Sequence, residues 1–344
     1  MDYIDLRSDT VTKPTGEMRE AMLQAEVGDD VRGEDPTVNR LQELAAERLG
    51  KEGALFVPSG TMGNQICVRV HTEPGQEVIL QERSHMFNLE MAAMAVLSGT
   101  LAHTIRGEDG ILDWPSVDAA IRPRGSRFAQ TGLVSLENTL NLAGGTVVPL
   151  DRMEEICERA HERGIPVHLD GARIFNAALF LKRDVRELAR PFDSVMFCLS
   201  KGLAAPVGSM IVGSRAFIDR AMSVRAMFGG AMRQAGVLAA AGIVALTTMT
   251  ARLVEDHANA RFLAEGLSQI DGIAIDPHSV QSNILVFDIA GTSLTTAEFS
   301  ARLKQRRVLA SEVNPREMRL VTHKDVSHSD CELAIQAVKE TLSD

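Results

Sequence analysis

Seven short apolar runs of the kind that form buried strands are spread over residues 54–212. Helical patterns separate most of them, such as residues 150–163 and the segment after Thr37, where Thr37 is the expected N-cap and Gly50 the expected end of a helix. This alternation predicts an α/β fold with a mainly parallel seven-stranded sheet flanked by helices. The predicted strands are residues 54–57, 77–80, 101–105, 132–137, 166–169, 195–199 and 207–212.

The pattern changes near residue 250. A long helical pattern that ends near residue 267 is followed by shorter segments. The strand-like ones are residues 273–275, 284–289, 307–309 and 318–321, and the helical ones are residues 295–305 and 329–342. We therefore expect a large domain over residues 1–249, including an extended N-terminal arm, and a smaller C-terminal α+β domain over residues 250–344.

Composition and charge narrow the classes of partner. The 344 residues are 45% apolar and 24% charged, as in ordinary globular proteins. The formal net charge of -10 argues against a nucleic acid or an anionic membrane as partner. Residues 1–9 alternate in charge and lack the apolar centre of a signal peptide. The apolar run 235–249 is shorter than a bilayer-spanning helix, which predicts a helix buried in the domain or packed against another subunit.

The four cysteines, Cys67, Cys157, Cys198 and Cys331, lie far apart and include no Cys-x-x-Cys pair. We therefore expect neither a zinc site nor a disulfide framework, and we predict no metal. Reduced thiols of this kind favour a cytoplasmic compartment.

Lys201 follows the predicted strand 195–199 at the place where parallel sheets bind ligands, beyond the carboxyl ends of the strands. An ammonium at the end of a buried strand is poorly solvated, which favours the neutral, nucleophilic amine. Such an amine can form a Schiff base with an aldehyde cofactor or a carbonyl substrate. Alternatively, Lys201 opens an exposed loop and only happens to follow a core strand.

Two other strand ends carry candidate binding residues. Gly60 and Thr61 lie between a strand and a helix, where close backbone approach and free N–H groups would hold a phosphate, although many tight turns look alike. Asp170 ends an apolar strand, where a carboxylate needs a cationic partner. That partner is either Arg173 or the pyridinium nitrogen of pyridoxal phosphate.

His85 lies just after the predicted strand 77–80. A single histidine is more often structural than catalytic. Once a flat cofactor is placed between the glycine turn, Asp170 and Lys201, an imidazole stacked on its face becomes the better interpretation.

The chain resembles the L-threonine aldolases, which are pyridoxal-phosphate enzymes of the aspartate-aminotransferase fold, fold type I. The resemblance runs nearly end to end and is carried by ordered segments. They are residues 7–12 (RSDTVT), 28–31 (GDDV), 33–37 (GEDPT), 58–64 (PSGTMGN), 168–173 (HLDGAR), 198–203 (CLSKGL), 229–234 (GGAMRQ) and 319–323 (RLVTH).

The resemblance implies a role for each matching residue. Lys201 would form the Schiff base with the cofactor, Asp170 would pair with its ring nitrogen, and Arg173 would lie near its phenolic oxygen. His85 would stack on the ring and help to relay a proton.

The resemblance also implies how phosphate and substrate are held. Gly60 and Thr61 would bind the phosphate, helped by Arg233 from a neighbouring subunit. Ser8 and Arg319 would hold the carboxylate of an amino-acid substrate, a task that suits a bidentate guanidinium. The implied reaction is cleavage of a β-hydroxy-α-amino acid to glycine and an aldehyde.

One position departs from the family pattern. The family has Asn-Thr-His-Asn where this chain has residues 138–141, Asn-Thr-Leu-Asn, so that Leu140 replaces a histidine expected to contact the substrate hydroxyl. The difference is either drift in a loop or an altered pocket. We hypothesise that Leu140 lines a substrate pocket that favours bulkier substituents and discriminates threo from erythro less sharply.

Rival functions remain open at this stage. Another pyridoxal-phosphate lyase of the same fold would release ammonia and pyruvate, and a non-catalytic relative would keep the fold alone. A nucleotide-binding oxidoreductase is disfavoured because the dinucleotide fingerprint is absent. The resemblance further implies a homotetramer, a dimer of dimers with active sites shared between subunits.

Overall fold

The computed structural model describes residues 3–123, 125 and 127–343. The first two residues of the expected arm and the last residue of the expected small domain therefore lie outside the described residues. The strands are β1 (Ile4–Asp5), β2 (Gly53–Val57), β3 (Glu77–Gln81), β4 (Leu101–Ile105), β5 (Thr131–Glu137), β6 (Val167–Asp170), β7 (Ser194–Cys198), β8 (Ser209–Gly213), β9 (Ile284–Asp288), β10 (Val308–Leu309), β11 (Ser311–Glu312) and β12 (Glu317–Val321).

Helices connect and cover these strands. The α-helices are α1 (Gly16–Leu23), α2 (Pro36–Leu49), α3 (Gly60–His71), α4 (His85–Asn88), α5 (Ala93–Ser98), α6 (Trp114–Ala120), α7 (Leu150–Glu162), α8 (Ile174–Leu181), α9 (Val185–Ala189), α10 (Arg215–Met227), α11 (Gly236–Val244), α12 (Thr250–Leu267), α13 (Thr296–Gln305) and α14 (His328–Ser343). Short 3₁₀ helices lie at Asp9–Val11, Asp30–Arg32, Asn141–Ala143 and Pro277–Ser279.

A seven-stranded sheet forms the centre of the large part of the chain, in the order β2-β8-β7-β6-β5-β3-β4. Every strand is parallel to β7 except β8, which runs antiparallel to both of its neighbours. The prediction of a mainly parallel seven-stranded sheet is therefore confirmed. Because the parallel strands share a direction, their carboxyl ends meet at one edge of the sheet.

Helices cover both faces of this sheet, as alternate residues of β2 illustrate. Phe56 packs into a core cluster that contains residues of α2, α7 and α11. Leu55 and Val57 pack into a second cluster that contains residues of α3 and α10. Since successive side chains of a strand point to opposite faces, the two clusters lie on opposite faces of the sheet.

The start of α2 differs from the prediction. Asp35, and not Thr37, is the N-cap: its Oδ1 accepts a hydrogen bond of 2.9 Å from the Val38 N–H. Pro36 occupies the first helical position, where its missing N–H costs nothing. Thr37 instead donates from its hydroxyl to the carbonyl of Glu26. Gly50 ends the helix in the left-handed conformation, as predicted.

The apolar run near residue 240 belongs to a longer helix than the sequence pattern indicates. A π-helical turn, Ala245–Met249, joins α11 to α12 into one helix, Gly236–Leu267. By length and composition alone this helix could cross a membrane, but half of its most apolar window is buried inside the protein. The predicted division at residue 250 falls inside this continuous helix, and it stays a prediction.

A smaller antiparallel sheet, β11-β12-β9, lies in the C-terminal part, where α12, α13 and α14 pack around a separate core cluster. The N-terminal arm packs against this C-terminal part, because Leu6 is fully buried in the same cluster and β1 pairs with β10. The predicted strand at residues 273–275 is wrong, since Ala274 forms only an isolated bridge with Asp288.

Candidate active site

A cavity of about 140 Å³ lies at the edge of the large sheet where the parallel strands end. Gly60, Thr61, His85, Asp170 and Lys201, which the sequence singled out at separate strand ends, all line it. Two larger clefts, of about 630 and 670 Å³, lie at the opposite edge. We place the candidate active site in the smaller cavity because it collects the nucleophilic, acidic and anion-binding groups.

Lys201 lies in a bend just beyond β7 and is half-buried. Within residues 3–123, 125 and 127–343, its amine has no hydrogen-bond or ion-pair partner. A partly buried amine with no partner is available to form a covalent bond with an aldehyde.

The N-terminus of α3 forms one wall of the cavity. Ser59 caps the helix by accepting a hydrogen bond of 3.2 Å from the Met62 N–H, and Gly60 and Thr61 occupy its first turn. A Cβ atom on Gly60 would lie 3.0 Å from the Cys198 Sγ, so glycine lets the helix approach the sheet closely. Because first-turn N–H groups have no partner within the helix, this turn offers donors to an anion such as a phosphate.

Asp170 lies at the end of β6 and is almost fully buried. Its Oδ2 accepts a hydrogen bond of 2.7 Å from the Asn64 side-chain amide, and its Oδ1 accepts one of 3.1 Å from the Ala172 N–H. A carboxylate has about four acceptor positions, so Asp170 keeps acceptor capacity towards the cavity.

His85 begins α4 and lies beside two buried carboxylates. Its Nδ1 donates to Glu90 Oε1 over 2.8 Å, which raises the pKa of His85 above its ordinary value. One ring nitrogen of His85 and one carboxylate oxygen each of Glu90 and Asp170 lie within 4.8 Å of one another, close enough to ligate a metal ion together. Hydrogen bonds from Asn64 to both carboxylates account for this spacing without an ion.

Glu137 adds a third buried carboxyl group to this wall. Burial, reinforced by the nearby Asp170 carboxylate, raises the pKa of Glu137 above its ordinary value. Its oxygens accept hydrogen bonds from the backbone N–H groups of His85 and Asn141. Asp170 and Glu137 both line the cavity, and acidic groups there favour a cationic ligand, so a protonated pyridine ring fits here.

Arg173 was expected near the phenolic oxygen of the cofactor, and the structure places it in the cavity wall, where it also pairs with Asp9. Its Nε and Nη2 each donate to an Asp9 oxygen over 2.7 Å, and both side chains are buried. Burial alone would raise the pKa of Asp9, but the Arg173 guanidinium lowers it well below its ordinary value. The N-terminal arm is thereby fastened to the site.

Arg319 lies on β12 and is partly buried. Its Nη1 donates to the Asn141 side chain over 3.2 Å and its Nη2 contacts the Arg7 carbonyl at 3.4 Å, while its buried Nε has no partner. In the part of the chain that the structure describes, no carboxylate pairs with it. This arrangement fits a ligand carboxylate.

Ser8 lies next to the Arg7 carbonyl and so reaches the neighbourhood of Arg319. Its hydroxyl accepts hydrogen bonds from the backbone N–H and the hydroxyl of Thr10. The arm and the C-terminal sheet thus place Ser8 and Arg319 near each other.

Leu140 and Arg233 do not line the cavity of their own chain. The Leu140 side chain is buried against Gly110, facing a small apolar gap of about 10 Å³. The gap shares one lining residue, Glu137, with the main cavity, and the Leu140 side chain itself does not reach that cavity, so its placement gives no support to a pocket role. The Arg233 side chain is 67% exposed and lies 3.4 Å from Asp29.

Four polar residues of the site escaped the sequence analysis: Asp9, Asn64, Glu90 and Glu137. Asp9 and Asn64 stand inside segments that match the family, and that match was the available signal. Glu90 stands in an irregular segment with no strand end to mark it.

The comparisons with known proteins agree with this geometry. The chain is 44% identical over 347 residues to low-specificity L-threonine aldolase 1 of Arabidopsis thaliana, covering 99% of this chain and 97% of the relative. It is 45% identical over 327 residues to the low specificity L-threonine aldolase of Escherichia coli, covering 94% and 95%. The solved threonine aldolase of Leishmania major superposes with a TM-score of 0.85 at 21% identity, covering 98% and 99%.

The chain has the fold type I architecture of its structural neighbours. The model of the beta-eliminating lyase family matches residues 5–290, and the chain belongs to that family.

Proposed function

We propose that this protein is a pyridoxal 5'-phosphate-dependent aldolase that cleaves L-threonine, L-allo-threonine and related β-hydroxy-α-amino acids to glycine and an aldehyde. The observation that carries the proposal is the convergence of Lys201, Asp170 and the α3 N-terminus on one cavity, whose lining residue Asn141 contacts the Arg319 guanidinium. The names of the full-length relatives support the choice of substrate.

The residues for holding the cofactor follow from the geometry. Lys201 would bond to its aldehyde carbon, Asp170 would accept the proton of its ring nitrogen, and the N–H groups of Gly60 and Thr61 would bind its phosphate. Arg173 would lie near its phenolic oxygen. When bound, the cofactor draws electrons from the α-carbon of the substrate.

Substrate orientation falls to Arg319 and Ser8. A carboxylate held by the Arg319 guanidinium fixes the rotation of the α-carbon, so that the Cα–Cβ bond can be turned perpendicular to the cofactor ring. Because the arm carries Ser8 and the C-terminal sheet carries Arg319, both must be docked for the substrate to bind.

Proton transfer from the β-hydroxyl requires a base, and we assign it to His85. Its Nδ1 is engaged by Glu90, so Nε2 is the ring atom left for substrate. The hydroxyl proton moves to His85 as the Cα–Cβ bond breaks, the aldehyde leaves, and a proton is returned to the α-carbon.

Product analysis tests this function. Purified protein with pyridoxal phosphate and L-threonine or L-allo-threonine is expected to release glycine and acetaldehyde in equal amounts. The family name favours one second candidate, a β-eliminating lyase, which would release ammonia and a keto acid instead. Detecting the keto acid without glycine would overturn the aldolase proposal.

We further infer a cytoplasmic homotetramer built from dimers that share active sites. Large apolar side chains are exposed in and just after α4, the helix that His85 begins: Phe87, Leu89 and Met91, the last being 92% exposed. Their exposure supports a subunit interface there. An exposed Arg233 outside its own cavity supports a role in the neighbouring subunit. The four free thiols support a reducing compartment.

A further inference from the structure

A chain of buried polar side chains runs from the cavity through the protein to the opposite edge of the large sheet. It consists of Asn64, His168, Ser194 and His71, which we call the buried relay. The Asn64 Oδ1 lies 3.1 Å from His168 Nε2, the Ser194 Oγ lies 2.9 Å from His168 Nδ1, and His71 Nε2 lies 2.8 Å from the same Oγ.

Secondary structure places all four residues. Asn64 and His71 lie two turns apart on one face of α3, so about 10 Å of helix axis separates them. His168 and Ser194 are register partners on β6 and β7. Asn64, His168 and Ser194 are completely buried, where unpaired polar groups are costly.

The carboxylates at the inner end determine the direction of every hydrogen bond. The Asn64 amide nitrogen faces Asp170 and Glu90, at 2.7 and 2.8 Å, because an amide oxygen there would be repelled by both carboxylates. The Asn64 oxygen therefore faces His168 and must accept, so His168 carries its proton on Nε2.

The outer half of the relay follows from the same logic. With its proton on Nε2, a neutral His168 accepts at Nδ1, and the Ser194 hydroxyl donates to it over 2.9 Å. The Ser194 backbone carbonyl lies 3.2 Å from the same Nδ1 and would accept from the opposite tautomer, so the site of this proton decides the direction of the relay. The Ser194 oxygen then accepts from His71 Nε2–H. All donors point towards the two carboxylates.

Both histidines are suited to this arrangement. Burial lowers the pKa of His71 to about 3 and that of His168 to about 4, so each ring is neutral near pH 7 and carries one N–H. A chain of aligned neutral dipoles polarises its members and strengthens each bond.

We propose that Asn64, His168, Ser194 and His71 are positioning residues that hold Asp170 and Glu90 in place for a cationic cofactor ring. This inference rests on the proposed function, since Asp170 lines the site assigned to the ring nitrogen and Glu90 holds His85, which lines the same cavity. Asn64 acts directly on both carboxylates, and the other three act through Asn64. His71 lines both clefts at the opposite edge of the sheet. A change at His71 therefore reaches Asp170 and Glu90 through the hydrogen bonds of the relay.

Substitutions along the relay test it by their effect on the cofactor. Asn64→Leu and His168→Phe remove donors while keeping volume, and each is expected to weaken binding of pyridoxal phosphate roughly tenfold, since a hydrogen bond to a charged group is being lost. Ser194→Ala and His71→Phe, farther out, are expected to weaken it less, in that order. The visible absorption band of the bound cofactor should shift in the same order.

Two further variants separate positioning from folding. His168→Gln keeps one acceptor and a donor to Asn64, and should restore affinity and band position. Thr72→Val removes a comparable buried hydroxyl at the end of α3, one that bonds only to the Val68 carbonyl, and should lower the melting temperature without changing the band.

The apoprotein gives an independent readout. Nitrogen NMR of its histidine rings is expected to show His71 and His168 both protonated on Nε2 and not on Nδ1. A proton on Nδ1 of His168 would reverse the relay and overturn the proposal. So would relay variants that lose melting temperature while cofactor affinity and band stay unchanged. If the unsubstituted protein shows no cofactor band at all, the proposed function fails, and the role of the relay towards the cofactor fails with it.

Discussion

Among the residues that the structure describes, no carboxylate pairs with the Arg319 guanidinium. Its neighbours offer an amide oxygen and a backbone carbonyl, and burial, together with the nearby Arg173, lowers the pKa of Arg319 below its ordinary value. A substrate carboxylate would complete its hydrogen bonds and neutralise its charge.

Replacing the planar, two-pronged guanidinium of Arg319 by the single ammonium group of a lysine should therefore weaken substrate binding. Arg319→Lys is expected to raise the KM for L-threonine by roughly ten- to a hundredfold, because a lysine cannot make the bidentate contact. Initial rates over a range of threonine concentrations measure it. Arg316→Lys, at an exposed arginine three residues earlier, is the matched control and should leave KM unchanged. An unchanged KM in Arg319→Lys would place the carboxylate elsewhere.

The pH dependence of catalysis tests the His85–Glu90 pair. The pKa of His85 is raised, so the basic form is lost as pH falls through a value above the ordinary one of about 6.5. If His85 is the base, kcat/KM falls on the acid side of that value. Glu90→Gln removes the charge that raises the pKa, so the acid limb should move to lower pH.

Glu82→Gln serves as the control for that profile, since Glu82 pairs with the exposed Arg106. A profile that keeps its acid limb in Glu90→Gln would assign the limb to another group, of which Glu137 is the first to examine.

At the scale of elements, the N-terminal arm is held against the candidate site by its own contacts. It carries Ser8, pairs with the C-terminal β10 and anchors Arg173 through Asp9. Breaking a buried ion pair by removing one charge leaves the other uncompensated.

Asp9→Asn is accordingly expected to lower the free energy of unfolding at pH 7 by about 3 kcal/mol or more. Because the pKa of Asp9 is lowered in the folded state, the pair stabilises fully above the unfolded-state value of about 4 and loses its contribution as pH falls further. The difference between Asp9→Asn and the unsubstituted protein, measured by urea unfolding, should shrink below pH ~4. A difference that is constant with pH would mean that Asp9 is not ionised in the fold.

The elements of the large sheet could be predicted because most of its strands are buried on both faces and read as apolar runs. β2, β3, β7 and β8 are buried throughout, and the predicted ends differ from the observed ones by at most two residues. The segment 273–275 is equally apolar, yet it forms a single bridge, because pairing depends on a partner that sequence pattern does not reveal.

The site could be predicted only in part, for a similar reason. Lys201, Asp170 and Gly60 stand at strand ends, where fold rules place ligands. Asp9 meets Arg173 from 164 residues away, and Asn64 reaches two carboxylates from the buried face of a helix. Contacts between residues so far apart in the sequence leave no repeating pattern of apolar and polar positions from which they could be predicted.

At the scale of the whole molecule, sharing of active sites between subunits is the feature that one chain alone does not display. If Arg233 serves the neighbouring cavity, each active site takes Lys201 from one subunit and Arg233 from the other. Arg233→Ala and Lys201→Ala then remove residues that different subunits supply to the same site. Mixing the two inactive variants should then restore activity, since a mixed dimer contains one cavity with both residues intact. No recovery after subunit exchange, verified by mass spectrometry, would place Arg233 outside the shared site.

The central claim is that Lys201 binds the aldehyde of pyridoxal phosphate in the cavity between α3 and β7. Reduction of the cofactor-loaded protein with borohydride, followed by peptide mapping, tests it directly because reduction makes the lysine–cofactor bond permanent. The account predicts the pyridoxyl group on the peptide that contains Lys201, and its loss from that peptide in Lys201→Ala. A modified Lys51 or Lys182, or no modified lysine at all, would contradict it.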